Sequence, residues 1–265
     1  LDRPAYMQYL MWMWKMLHGD FGMSFEWERP VLGLLLERLP LTVAISLATL
    51  IFTYVVAVPI GIYSATHQYS VGDFAVTIFG FIGVAIPNFL FALILMWGLY
   101  SAFGLSIGGL FSQEYVQAEW SFGKFVDLLK HLPVPMIVIG TAGTAGLIRR
   151  MRGVLLDELS KQYVITARAK GLTETRLLLK YPVRIALNPI VSSIGWALPA
   201  IVSGQTISAI VLNLPTTGPL LFRALTSQDM YLAGSSIMVL TFLTVLGIFV
   251  SDILLAVLDP RIRYR

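Results

Sequence analysis

Three stretches without a charged side chain, residues 39–66, 74–103 and 185–222, decide most of what this chain can fold into. About 20 consecutive apolar residues cross a bilayer as a helix. The chain as a whole is 57% hydrophobic and 13% charged, outside the range of water-soluble domains. The expected fold class is therefore an all-α membrane protein. Five spans are read: 39–66, 74–103 with a break at Pro87-Asn88, 132–148, about 189–212 with Pro199 inside it, and 230–258. Gly140, Ala142, Gly143, Ala145 and Gly146 in the third span are small enough to let helices approach closely.

The charge left over is concentrated. Between 149 and 184 lie Arg149, Arg150, Arg152, Lys161, Arg168, Lys170, Arg176, Lys180 and Arg184, against Asp157, Glu158 and Glu174. Loops rich in Lys and Arg stay on the cytoplasmic side. With five spans this places the start of the chain outside and its end inside. Arg261, Arg263 and Arg265 then join the cytoplasmic set. Arg3, Lys15, Arg29, Arg38, Lys124, Lys130 and Arg223 form the smaller external one. The expected organisation is an external or interfacial segment over 1–38, a membrane domain over 39–258 carrying the loop 149–184, and a cytoplasmic tail over 259–265.

Within that loop, Ala167 to Lys170 favour helix, and Gly171 can take the left-handed conformation that closes one. Thr173 can cap a second helix with Glu174 in its first turn. Pro182 biases Tyr181 away from helix, which keeps the second piece short. The pattern predicts a helix, a glycine corner and a short helix, with small side chains that a partner's groove can receive. A solvated loop that only fixes topology is the plainer alternative.

The residues Thr166-Ala167-Arg168-Ala169-Lys170-Gly171-Leu172, followed by Tyr181-Pro182-Val183-Arg184 and Asn188-Pro189, resemble the coupling loop of ABC importer permeases. The likeness is to the dipeptide/oligopeptide/nickel branch. Leu1-Asp2-Arg3-Pro4, Gly19-Asp20, Arg38-Leu39-Pro40 and the ending Asp259-Pro260-Arg261 resemble the same branch. Ile165 stands where the wider family often carries a Glu, so no Glu-mediated contact is carried over. The resemblance implies a type I importer transmembrane domain acting as permease subunit, with a path for peptides or similar polar solutes. It implies a second homologous permease subunit, two ATPase subunits docked on Thr166 to Leu172, and an extracytoplasmic binding protein delivering substrate near 104–131 and 213–229. It places the chain in a bacterial or archaeal cytoplasmic membrane. In that family a first transmembrane helix precedes the segment equivalent to 1–38. None is present here, and the sequence is expected to be a piece of a longer protein.

Several chemistries find no support. There is no cysteine, so disulfides, thiolate metal sites and thiol nucleophiles are out. His18, His67 and His131 lack metal-ligand spacing. The glycines at 140, 143 and 146 have no following Lys-Ser/Thr and lie in an apolar span, so they are not a phosphate loop. No cofactor is expected on this chain; ATP and Mg belong to the partners. The net positive charge does not point to nucleic acid, because most of the basic residues sit in one loop and the tail. The alternating Met and aromatic residues of 6–16 suit a helix at the membrane boundary, or ordinary packing.

Asn88, Ser203, Gln205, Thr206 and Ser208 are polar at membrane depth. Asn88, Gln205 and Ser208 are the candidates for the translocation path, although bridging between helices is the commoner role of such residues. Asp252 is the single acid inside a predicted span. It is expected to pair with a basic residue of the large loop rather than to handle substrate. A self-contained channel or secondary transporter is the alternative function; it would carry several ionisable residues within its spans.

Overall fold

A computed structural model describes residues 4–104 and 107–258. For 198, 199, 202–204 and 258 it describes the backbone alone. The order is α1 (Ala5–Leu17), α2 (Val31–Thr66), α3 (Val71–Ala85), α4 (Asn88–Phe103), α5 (Gln113–Val116), α6 (Phe122–His131) and α7 (Pro133–Leu159). Then follow α8 (Gln162–Ala169), α9 (Glu174–Lys180), α10 (Pro182–Ser192), α11 (Ile194–Gly204), α12 (Thr206–Val211), α13 (Thr217–Thr226) and α14 (Met230–Leu258). Among the described residues no strand forms beyond one isolated bridge, Met23 to Pro30.

The long helices α2 and α7 form the principal packed pair. Their crossing depends on Gly61, where a Cβ would come within 2.7 Å of Met151 Cβ and 3.1 Å of the Ile148 carbonyl. Gly140 does the same against Phe52 and Thr53. Gly146 meets nothing within 4 Å and faces a cleft instead. The small residues therefore pack against α2 at Gly140 and against Gly83 of α3 at Ala145, and leave the face of Gly146 open. α3 lies on α7, and α11 on α14, where Gly195 abuts Ser251. Ala57, Met151, Leu155, Ala186 and Ile190 fill one core cluster near the loop end of the bundle. Leu41, Ile45, Val138, Ala209 and Leu212 fill another nearer the start of α2.

Helix α2 has 36 residues, about 54 Å at ~1.5 Å per residue, against a hydrocarbon core of about 30 Å. It runs unbroken through Pro40 and Pro59 and projects beyond the membrane. The expected boundary at 38 thus falls inside a continuous helix. Thr42 helps to hold α2 at Pro40: its hydroxyl donates to the Arg38 carbonyl (2.8 Å) and accepts from the Thr217 N–H (2.9 Å).

The break expected at Pro87-Asn88 is present, and one of the other expected spans needs correction. Residues 74–103 are two helices that meet at 105°. Pro87 supplies no N–H and holds Ile86 extended, as seen in the Ile86 ψ of 121°. Residues 189–212 are not one helix either: they are parts of α10, α11 and α12, separated at Ser193 and Gln205. By length and apolarity α2 and α14 each suffice to cross a membrane, and the bent pairs α3/α4 and α6/α7 bring the number to four. The expected outer loop over 104–131 contains α5 and α6. In α1, Tyr6, Tyr9 and Trp14 are exposed, whereas Trp12 packs on Gly234 of α14.

Candidate functional site

Two features on the α2/α7 frame are candidates. The first is the loop after α7. Helix α8 ends at Ala169, and Gly171 turns the chain at φ +79°, a conformation open to glycine at no steric cost. Its N–H bonds to the Arg168 carbonyl at 3.0 Å. Helix α9 then returns for seven residues and stops before Pro182. The corner has its own small core of Val164, Ala167 and Leu177, with Tyr163, Leu172 and Tyr181 around it. Leu178 packs against the main bundle cluster, so the corner is fixed to the bundle.

Ala167 accordingly faces inward. Thr166, Arg168, Ala169, Lys170 and Gly171 are exposed, and Leu172 is half-buried. Thr173 occupies the N-cap position of α9, but its side chain makes no cap bond. Glu174 reaches back across the corner to Arg168, at 2.5 and 3.1 Å. That bond holds the Glu174 carboxyl below the usual carboxylate range. An ion pair so exposed adds little stability, but it fixes the shape of the turn. At the base of the corner, burial and the bond from Tyr163 to Glu158 (2.6 Å) push the Tyr163 phenol up.

The stem of this loop is anchored by a contact that sequence reasoning missed. Arg152 on α7 makes two hydrogen bonds to Asp73 on α3, both 2.8 Å. Asp73 is buried; it also accepts from the Ser64 hydroxyl at the end of α2 and from the Tyr69 N–H. One carboxylate thus ties α2, α3 and α7 together beneath the loop. The only local signal was Ser70, three residues earlier, whose Oγ accepts from the Asp73 N–H at 3.2 Å as an N-cap. The pairing expected of Asp252 is corrected: this residue is exposed, and among the described residues it makes no ion pair. Arg149 lies over the Phe81 ring and Arg152 is taken by Asp73. The tail arginines lie outside the described residues.

The second feature is a cleft of about 540 Å³ between α2, α7 and α11. Asn88 and Gln205 both line it, with Tyr54, Gly146, Arg150 and Trp196. Asn88 Nδ2 reaches the Ile139 carbonyl at 3.4 Å. Gln205 sits at the α11/α12 break with its Nε2 buried and without a hydrogen-bond partner. Tyr54 Oη is 2.8 Å from Ser193 Oγ. Trp196 is 76% exposed, a wide apolar face turned into open space. Ser208 is buried in α12 and does not line the cleft; the Ser203 side chain lies outside the described residues. The structure therefore brings two of the three expected path residues to one wall and separates the third.

A family model described as "Binding-protein-dependent transport system inner membrane component" matches residues 57–264. The chain is 36% identical over 266 residues to the oligopeptide transport system permease protein AppB of Bacillus subtilis strain 168, covering all of this chain and 82% of that one. It is 32% identical over 267 residues to the oligopeptide transport system permease protein OppB of Haemophilus influenzae, covering 100% and 82%. It is 28% identical over 281 residues to the dipeptide transport system permease protein DppB of Escherichia coli K12, covering 100% and 83%. Among solved structures, the inward-facing MetNI methionine ABC transporter is similar in fold, with a TM-score of 0.65 at 16% identity over 85% of this chain and 96% of that one.

Proposed function

The chain belongs to the family of inner-membrane components of binding-protein-dependent transport systems, as a permease subunit of an ABC importer with the type I fold, and from that premise we propose what it carries and how it is driven. Its cargo is peptides or polar solutes of similar size. It works beside a second homologous permease subunit, with the Asn88/Gln205 cleft as its share of the path. Two ATPase subunits bind the exposed face of the α8/α9 corner and supply the energy; ATP and Mg sit on them. An extracytoplasmic binding protein delivers the cargo at the opposite end. The membrane is the bacterial or archaeal cytoplasmic membrane, with the α8/α9 corner inside.

The observation that carries this reading is the construction of the corner. Its exposed face sets the short side chains of Thr166 and Ala169 and a left-handed Gly171 among the basic Arg168 and Lys170. Its inner face is buried, and its stem is clamped by Arg152 to Asp73. A loop that served only as a topology signal has no need of a core or a clamp. A push on such a corner moves α7, which borders the cleft, and through Asp73 it also moves α3 and the cleft-lining α2. The test is reconstitution of the chain with its neighbouring ATPase and permease subunits in proteoliposomes. ATP-dependent uptake of trialanine supports the assignment. Uptake that proceeds equally without ATP, or an ATPase that does not co-purify, rejects it.

A further inference from the structure

A larger cleft, about 970 Å³, opens at the start of α2, at the far end of the bundle from the α8/α9 corner. Its walls come from α2, the residues before α5, α6, the 213–216 segment and α13. Three cations line it: Arg38, Lys124 and Arg223. The single acid in its lining, Glu37, is already taken by Arg29 at 2.5 Å.

Lys124 is the informative residue. It is only 7% exposed, yet among the described residues no carboxylate forms an ion pair with it. Its ammonium donates to the Ala118 carbonyl at 2.6 Å and lies 5.0 Å from the centre of the Phe111 ring and 5.4 Å from that of Trp120. The nearest acid along its helix, Asp127, is bound elsewhere: it accepts from the Ser112 N–H and hydroxyl, both at 2.8 Å, and faces His131. Arg223 is held over the Trp27 ring at 5.8 Å. Among the described residues neither Arg38 nor Arg223 forms an ion pair. Buried charges are ordinarily paired, since leaving one uncompensated is costly. Here the missing partner is an anion, and the aromatic walls around the cations suit the apolar groups attached to it.

We propose that this cleft is a binding site for the terminal carboxylate of the transported peptide, received by Lys124, Arg38 and Arg223 before the peptide enters the Asn88/Gln205 cleft. The proposal rests on the transport reading above and adds to it a requirement on the cargo, a free C-terminal acid. The aromatic rings Phe111 and Trp120 flank Lys124, Trp27 flanks Arg223, and all three offer surface to the last side chains of the peptide.

The test compares trialanine with its C-terminal carboxamide. Equilibrium binding of each radiolabelled peptide is measured on the assembled transporter in nanodiscs, without binding protein, and ATP-driven uptake of trialanine is measured in parallel. The acid is expected to bind about tenfold more tightly than the amide, the worth of one charge-assisted hydrogen bond. Lys124→Gln is expected to erase that preference. If Lys124→Gln does not accumulate, Arg38→Gln, at a half-buried position, carries the same comparison. Normal uptake with equal affinity for acid and amide, or with no measurable binding, overturns the carboxylate site and leaves the transport reading standing. Absence of ATP-driven uptake by the parent removes the transport reading instead. Loss of binding-protein capture in the variants, with the acid-to-amide ratio unchanged, makes the cleft a protein-docking face and also overturns the proposal.

Discussion

Asp73 and Arg152 are joined by two parallel hydrogen bonds of 2.8 Å across 79 positions of sequence. The Asp73 side chain is 5% exposed and that of Arg152 26%. Removing one partner strands a largely buried charge, which costs about 3 kcal/mol, at the low end of the usual range because Arg152 still reaches water. Asp73→Ala is therefore expected to lower the unfolding midpoint in detergent markedly. Asp73→Ala combined with Arg152→Met, which removes both charges, is expected to recover most of the loss. The recovered double variant is also expected to show weakened coupling, with ATP hydrolysis proceeding at the parent rate and peptide uptake reduced. Equal uptake per ATP in that variant would show that the clamp serves stability alone.

The α2/α7 crossing makes a separate prediction. Gly61→Ala places a methyl group 2.7 Å from Met151 Cβ, with the Ile148 backbone close behind. Overpacking of this kind costs about 1–3 kcal/mol, more than the gain of about 1 kcal/mol that Ala brings over Gly inside a helix. Gly33→Ala lies on the same helix with nothing within 4 Å and is expected to be neutral or mildly stabilising. A thermal-unfolding comparison of the two variants in one detergent decides the matter.

Much of this fold was legible because the length of an apolar run is a property of the chain taken one residue at a time. The Gly171 corner was legible for a similar reason: its helix formers, its glycine and Pro182 are all local. The contacts across the bundle were not. Asp73 follows a short loop and looks like ordinary span-flanking polarity until the fold brings it to Arg152. Asp252 was misleading because nearness to a basic loop in a topology diagram is not nearness in space. Ala167 and Ala169 look alike in the sequence, yet helical phase buries the first and exposes the second. Ser208 and Gln205 are three residues apart, but the break at Gln205 turns them to different surroundings.

Orientation can be read without background because the chain has no cysteine. Gln117 and Thr175 are both exposed, so a cysteine at either position is accessible to a polar maleimide. Gln117→Cys is expected to label in intact cells whose outer barrier has been opened. Thr175→Cys is expected to label only after the inner membrane is breached. The reverse pattern would invert the whole arrangement and move the α8/α9 corner away from ATP.

The corner separates two effects of a single residue. At Gly171 an added Cβ meets nothing within 4 Å, but φ is +79°, so within this chain the obstacle is backbone strain. Asn tolerates that region far better than a β-branched residue. Gly171→Asn is expected to leave the subunit folded and yet reduce ATPase co-purification, since its side chain fills the face offered to the partner. Gly171→Val is expected to lose about 1–2 kcal/mol locally as well. Ala169→Glu carries no backbone strain and is expected to act on docking alone, while Arg176→Glu, on α9 beyond the Thr166 to Leu172 stretch, is expected to change little. Pull-down yields and detergent melting curves, measured on all four, distinguish docking from folding. Undiminished ATPase recovery with Ala169→Glu would place the contact elsewhere.

Gln205 offers the sharpest test of the path. Its Nε2 is buried and unpaired, and an unsatisfied amide costs about 1–3 kcal/mol. Natural chains retain such a cost where a polar group has work to do in another state. Gln205→Leu keeps the volume approximately and removes the orphaned donor. It is expected to raise the melting temperature of the subunit while reducing ATP-driven trialanine uptake several-fold. Asn88→Leu loses only a long bond of 3.4 Å to Ile139, lines the same cleft and is expected to reduce uptake with little change in stability. Ser208→Ala, off the cleft, is expected to leave uptake near the parent level. If Gln205→Leu gains stability and transports like the parent, the cleft between α2, α7 and α11 is not the route, and the polar residues that line it hold helices together and nothing more.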